Sequence, residues 1–430
     1  MKRTKLVMVG NGMAGVRTLE ELLRIAPDLY DITVFGAERH ANYNRILLSP
    51  VLAGEMTLKD IMLNEEQWYA ENGIRLQLNK PVVKIDRAAR KVIAADGTEE
   101  SYDRLLLATG SQPVMLPIPG KDLHGVLSYR DIADTEAMIE ASSKYKHAVV
   151  IGGGLLGLEA ANGLAMRGMN VSVVHLMPWL MERQLDRTAA GMLQKSLEAK
   201  GLRFLLEHKT QEIVGIDGRA SAVRFDNGTE VAADLVVMAI GIKPNVALAQ
   251  AAGLHCMRGI VVTDTMQTHD PRIYAVGECV AHRGTTYGLV APLFEMAKVC
   301  ANHLARFGIG RYEGLITLEV QGAKHDCLKL TYEGDDRLFL PVVSVVLGLA
   351  YLGVGYWRLT SARAFLATND TPANPIDAHV TLGWGLAIGL LTGVVGFIFA
   401  RFISGMAKQT IWSNLRAGAA SIVGTALMGL

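Results

Sequence analysis

An excess of charge of either sign is missing from this chain. Its 43 lysines and arginines stand against 42 aspartates and glutamates, a formal net charge of +1. Nucleic acid is bound chiefly through clustered basic side chains, so the composition gives a nucleic-acid partner no support. Cysteine is scarce as well. Cys256, Cys279, Cys300 and Cys327 are too far apart in the sequence for a C-x-x-C redox pair or a zinc knuckle. Isolated thiols of this kind fit a reducing cytosol. No signal peptide is expected, because Met1 to Thr4 lead directly into an apolar strand. What the chain has in quantity is apolar side chains, 50% against 20% charged, and 44 glycines. At 430 residues it exceeds one ordinary core, and two or three domains are expected.

The glycines are informative where they cluster. Residues 5–9 are an apolar run that feeds Gly10-Asn11-Gly12-Met13-Ala14-Gly15 and then a helical pattern over 16–25. This reads as strand, tight turn and helix. Gly10 serves the turn, Gly12 the approach of backbone to a pyrophosphate, and Gly15 close packing of helix on strand. A β-rich run at 31–35 completes a βαβ unit, and Glu38 follows at about the distance where such folds place an acid on ribose hydroxyls. A solvated loop glutamate is the alternative there. The mixed polar and apolar stretch 41–58 reads as a loop able to lie against a ring system. Arg45 within it is either a cofactor contact or a surface arginine. An apolar strand then runs into Ala108-Thr109-Gly110, small residues that let backbone pass close to a dinucleotide. Pro113, Pro117 and Pro119 mark the exit from the first domain.

The pattern then repeats about 140 residues later. Residues 148–151 feed Gly152-Gly153-Gly154-Leu155-Leu156-Gly157, with Glu159 in the helix that follows. A second βαβ closure at 170–175 ends on His175, near where an acid would indicate NAD and an arginine NADP, so the coenzyme stays open. The strand leading to Gly241 mirrors the one leading to Gly110. A hairpin is expected at Asp226-Asn227-Gly228. A later strand ends in Gly277-Glu278-Cys279, where the acid is placed to accept a hydrogen bond from a ribityl hydroxyl, and a helix over 292–307 would present its N-terminus beside the ring. Cys279 reads as a buried apolar thiol, since it has no partner cysteine nearby.

The strings Val34-Phe35-Gly36-Ala37-Glu38, Asn42-Tyr43-Asn44-Arg45-Ile46-Leu47-Leu48-Ser49, His175-Leu176-Met177-Pro178 and Gly277-Glu278-Cys279 resemble the two-dinucleotide-binding flavoproteins. The resemblance covers roughly the first 310 residues and is strongest to the N-terminal module of the bacterial nitrite reductase large subunit. It implies an α/β fold of two Rossmann-like domains. The FAD domain would comprise 1–120 and 244–306, and the NAD(P)H domain 121–243. FAD would be held by Gly10, Gly12, Gly15, Glu38, Arg45, Thr109, Gly110, Gly277 and Glu278, and NADH or NADPH by Gly152, Gly154, Gly157, Glu159 and Gly241. Hydride would pass from nicotinamide to flavin, with no side chain needed as acid or base and no metal. The family's cysteine clusters for siroheme and iron–sulfur centres do not follow this module, so nitrite reduction by the chain alone is not expected. An acceptor protein or domain in trans is expected instead. Reduction of a ferredoxin or rubredoxin is the alternative.

Residues 308–341 are similar to the start of the CarD-like, RNA-polymerase-interacting module of transcription-repair coupling factors, and 307–337 read as a short β-rich linker. Beyond them lie an uncharged run at 338–357 and a second at 378–400, each long enough to cross a bilayer, with an incomplete third at 417–430. Lys324, Lys329, Arg337, Arg401, Lys408 and Arg416 outweigh Arg358 and Arg363, which predicts a cytoplasmic flavin module attached to the inner membrane. The closing stretch resembles YeeE/YedE-type sulfur-compound transporters. A transporter fragment or a polymerase-binding module are thus the readings from other functional classes, and the mosaic order points to a fused reading frame.

Overall fold

The computed structural model describes residues 3–308, 310–314, 316–319 and 329–332, all within the unit Met1–Glu333. Two five-stranded parallel sheets dominate it. The first runs Ile273–Ala275, Arg104–Leu107, Thr4–Val9, Tyr30–Phe35, Arg75–Gln77. The second runs Val126–Ser128, Leu235–Met238, His147–Ile151, Asn170–His175, Arg203–Leu206. Each has its glycine-motif strand in the centre, flanked by the next strand of the βαβ unit and by the strand that ends in small residues. Parallel sheets are covered on both faces, which is why these strands read as unbroken apolar runs. Leu6, Met8, Leu105, Leu106 and Leu107 are all fully buried in the first, and Val149, Val150, Val236 and Val237 in the second.

The helix Met13–Ile25 turns Val16, Leu19 and Leu22 onto the first sheet, while Arg17, Glu20, Glu21 and Arg24 form ion pairs along its side. Burying Leu19 completely contributes about 1.5–3 kcal/mol. The helix Val290–Leu304 packs in the same core through Leu293, Met296 and Cys300. It ends before Phe307, which is exposed, and its last carbonyl accepts the buried Tyr30 hydroxyl at 2.8 Å.

Three segments depart from the sequence reading. Within 41–58 lies not only loop but a 3-10 turn, Arg45–Leu47, and a helix, Leu48–Ala53. Pro50 sits in that helix's first turn, where its missing N–H breaks no helical bond. Leu52 packs this helix onto Leu155–Met166, where a Cβ on Gly163 would lie 2.8 Å from Leu52 Cγ. Arg167 donates to the Val51 carbonyl at 3.0 Å and to that of Leu52, joining the two glycine units. The second departure is that Pro113, read as a breaker of regular structure, lies within a strand. Ser111–Pro113 pairs antiparallel with Ile242–Pro244, so the two chain crossings between the sheets form one ribbon. Pro is tolerated there because a two-stranded ribbon is all edge. The third concerns residues 310–314, read as linker. Tyr312 is 4% exposed, its N–H donates to the Asp264 carbonyl at 2.8 Å, and its ring meets His282 and Tyr287 edge-on. Beyond it, Ile316–Glu319 and Lys329–Tyr332 pair antiparallel. The hairpin at Asp226-Asn227-Gly228 forms as expected, between Arg219–Phe225 and Glu230–Ala232. The apolar runs at 338–357 and 378–400 and the segment 417–430 lie outside the described residues. Among the described residues no helix is long and apolar enough to cross a membrane.

Asp264 ties this C-terminal seam by charge. It accepts from His282 Nε2 at 2.8 Å and from Arg283 at 2.8 and 3.1 Å, and these bonds hold its carboxyl down at about 2. A depressed folded value adds stability above the unfolded value near 3.8 and loses it as pH falls through about 2. Asp264→Asn is therefore expected to be less stable than wild type at pH 6 in urea unfolding. The difference should shrink as pH falls below about 4; a constant difference would contradict the assignment.

Candidate active site

The site is built from two turns of the same design. Gly10 has φ +105°, and a Cβ there would lie 2.1 Å from the Ala108 carbonyl oxygen. Gly152 has φ +128° and would meet the Ala239 carbonyl oxygen at 2.3 Å. Both require glycine. Gly15 is hemmed by Ala108 Cβ and Met8 Sδ, and Gly157 by the Gly152 carbonyl. The middle glycines differ: a Cβ at Gly12 or at Gly154 would meet nothing within 4 Å. The outer glycines thus serve the fold, and the middle ones face open space at a helix N-terminus. Neither helix has a side-chain cap or an acidic residue in its first turn. Its free N–H groups and dipole are left for an anion, which is the requirement of a dinucleotide pyrophosphate. Gly110 and Gly241, just beyond the neighbouring strands Arg104–Leu107 and Leu235–Met238, each have positive φ and no atom within 4 Å of a Cβ.

Around the first turn the polar residues interlock. Glu38 accepts from Arg45 Nη2 and from the Tyr43 hydroxyl, both at 2.7 Å. Arg45 lies over the Tyr43 ring and donates to the Arg130 carbonyl at 2.9 Å. Burial pushes the Tyr43 phenol well above its ordinary value, outweighing Arg45, so it remains a donor. Glu38 is thus engaged by its own loop, with spare lone pairs on both oxygens. Thr109 donates its hydroxyl to the Asn245 carbonyl at 2.8 Å, steadying the strand crossing. Gly277, with φ +88°, would bring a Cβ to 3.0 Å from Ala14, so the backbone before Glu278 rests on the first glycine helix. Glu278 accepts from the Ser111 hydroxyl at 2.8 Å and is ion-paired with Arg130.

Three contributors have no signal in sequence spacing. Arg130 comes from the second unit, and its Nε is buried without a partner among the described residues. Asn11 receives the Tyr69 hydroxyl at 2.7 Å, while its own Nδ2 is buried and unpartnered. Ser49 donates to Glu159 at 2.7 Å and accepts from Tyr129 at 3.3 Å, which brings the second glycine helix to the first unit's loop. At the second turn, His175 closes on the glycine loop by accepting the Gly153 N–H at 3.1 Å.

Thiols take no part in this arrangement. Cys279 is fully buried, with its thiol 3.3 Å from the Val276 carbonyl, and burial pushes it up; Cys300 is buried in the same way. Cys256, Cys279 and Cys300 are free, and Cys327 lies outside the described residues. Among the described residues no dithiol faces either glycine turn.

The family described as pyridine nucleotide-disulphide oxidoreductase matches residues 4–301. A nitrite reductase [NAD(P)H] of Bacillus subtilis is 56% identical over 327 residues, covering 75% of this chain and 40% of the relative. The assimilatory nitrate reductase electron transfer subunit of the same organism is 50% identical over 314 residues, covering 73% and 41%. A ferredoxin reductase structure from Rhodopseudomonas palustris superposes with a TM-score of 0.68 at 30% identity, covering 73% of this chain and 79% of that one. The chain therefore spans about two fifths of the length of the curated relatives it matches. A second family, the CarD-like/TRCF RID domain, matches residues 305–349. That match begins before the expected 308 and takes in the first part of the apolar run 338–357. The chain belongs to the pyridine nucleotide-disulphide oxidoreductase family, whose cofactors are FAD and NAD(P)H.

Proposed function

We propose that residues 1–120 and 244–306 hold FAD and residues 121–243 hold NADH or NADPH, and that electrons leave to a separate siroheme or iron–sulfur acceptor in nitrite reduction. The observation that carries this reading is the pair of open middle glycines, Gly12 and Gly154, each at an uncapped helix N-terminus. Gly12 leaves room for the FAD pyrophosphate, Gly10 and Gly15 shape the turn that would hold it, and Thr109, Gly110 and Gly277 keep the neighbouring backbone low beside it. Glu38 and Glu278 would accept hydrogen bonds from hydroxyls of the bound dinucleotide, and Arg45 fixes Glu38. Gly152, Gly154, Gly157 and Gly241 form the corresponding cradle for the pyridine nucleotide, and Glu159 faces the first unit through Ser49. FAD supplies hydride acceptance from the nicotinamide and onward delivery of electrons singly or in pairs. The protein's part is to bind, align and shield the two cofactors.

Without a dithiol among the described residues, the chain is read as an electron-transfer enzyme rather than a reductase of disulfides. Purified protein is expected to use NAD(P)H to reduce one-electron acceptors, to leave small disulfides untouched, and to reduce nitrite only when the acceptor protein is added. Disulfide reduction at a comparable rate, or nitrite consumption by the chain alone, would contradict the proposal. A ferredoxin or rubredoxin as acceptor is the second reading. It is favoured by the superposition on a ferredoxin reductase and is separated by the same assay with each carrier.

A further inference from the structure

The strand Asn170–His175 ends without the acid that usually meets the adenosine ribose in dinucleotide folds. The structure supplies one from the loop that follows. Leu180 is fully buried, and Met181, at φ +51°, donates its N–H to the Gly153 carbonyl at 3.0 Å. The loop is thereby folded back on the glycine turn, and this fold brings Glu182 to His175, with Oε2 3.1 Å from Nε2. Because His175 Nδ1 accepts the Gly153 N–H, that nitrogen carries no proton. The proton sits on Nε2 and is donated to Glu182, whose second oxygen is left available. His175 is wedged so tightly that a Cβ on Gly153 would lie 2.7 Å from its ring.

We infer that Glu182, positioned by His175, selects NADH over NADPH; this rests on the second glycine unit being the pyridine-nucleotide cradle. A carboxylate at this rim accepts hydrogen bonds from ribose hydroxyls and repels a 2′-phosphate. The surrounding charges do not cancel it. Among the described residues no lysine or arginine is in ion-pair contact with Glu182. Arg183 is exposed, and Arg187 lies over the Trp179 ring. From the adjoining strand end, His208 contacts His175 through its backbone N–H, and its ring Nδ1 faces the Leu206 carbonyl.

The test is calorimetric binding of ADP-ribose and of 2′-phospho-ADP-ribose to the FAD-loaded protein, in wild type and Glu182→Gln. Wild type is expected to bind ADP-ribose at least about tenfold more tightly. Glu182→Gln is expected to close that gap by at least about fivefold, through tighter binding of the 2′-phosphate compound, with flavin content unchanged. Equal binding or a preference for the 2′-phosphate in wild type, as Arg183 would produce, overturns the inference. So does an unchanged ratio in Glu182→Gln. Failure of wild type to bind either compound overturns the assignment of the second cradle itself.

Discussion

Gly12→Asp is expected to yield a folded, colourless protein. The Gly12 backbone is extended, with φ −85° and ψ 177°, so an aspartate fits it without strain, and a Cβ there meets nothing within 4 Å. Asp is also among the preferred residues at a helix N-cap, the position Gly12 occupies. Helix and sheet are therefore retained. The carboxylate, however, would stand where the FAD pyrophosphate must lie. Two unit charges about 4 Å apart repel by about 4 kcal/mol at an effective dielectric of about 20, roughly a thousandfold in Kd. Flavin content after purification and circular dichroism measure the two halves of this expectation. Gly10→Ala is the contrast, since its methyl group would strike the Ala108 carbonyl at a φ that L-residues avoid. That variant should lose fold and flavin together. Full flavin content in Gly12→Asp would contradict the assignment of this cradle.

Gly154→Asp should separate the two cofactors. Its backbone and surroundings match those of Gly12, with φ −82°, ψ 177° and open space around a Cβ. The expected protein is yellow with full flavin content and is bleached by dithionite. Its reduction by NADH or NADPH should need roughly a thousandfold more nucleotide, by the same electrostatic argument. Stopped-flow reduction over a range of nucleotide concentration measures this. Unaltered reduction kinetics would show that the pyridine nucleotide binds elsewhere.

Both cradles were legible in the sequence because their signal is local. A buried parallel strand must be an apolar run, and a turn against a neighbouring carbonyl must be glycine, so residues 5–15 and 148–157 declare themselves. Elements whose cause is tertiary were not legible. The stretch 41–58 reads as loop, yet Leu48–Ala53 is a helix that holds Pro50 in its first turn and is packed by Leu52 on the second unit. Pro113 likewise hides an edge strand whose partner, Ile242, is more than a hundred residues away. The pairing of Arg130 with Glu278 spans 148 positions and follows from the juxtaposition of the two units. The coenzyme stayed open for a related reason. The strand end carries His175 rather than an acid, and the fold brings Glu182 to it from seven residues along.

The central claim, two nucleotide cofactors in one electron-transfer module, is tested most directly by an anaerobic titration of the purified protein with NADH, followed by the visible flavin spectrum. The expected result is a yellow protein bleached by about one equivalent of nucleotide per flavin, whose colour returns when a one-electron acceptor is added. A protein that takes up no FAD, or a yellow one that neither NADH nor NADPH bleaches, would contradict it.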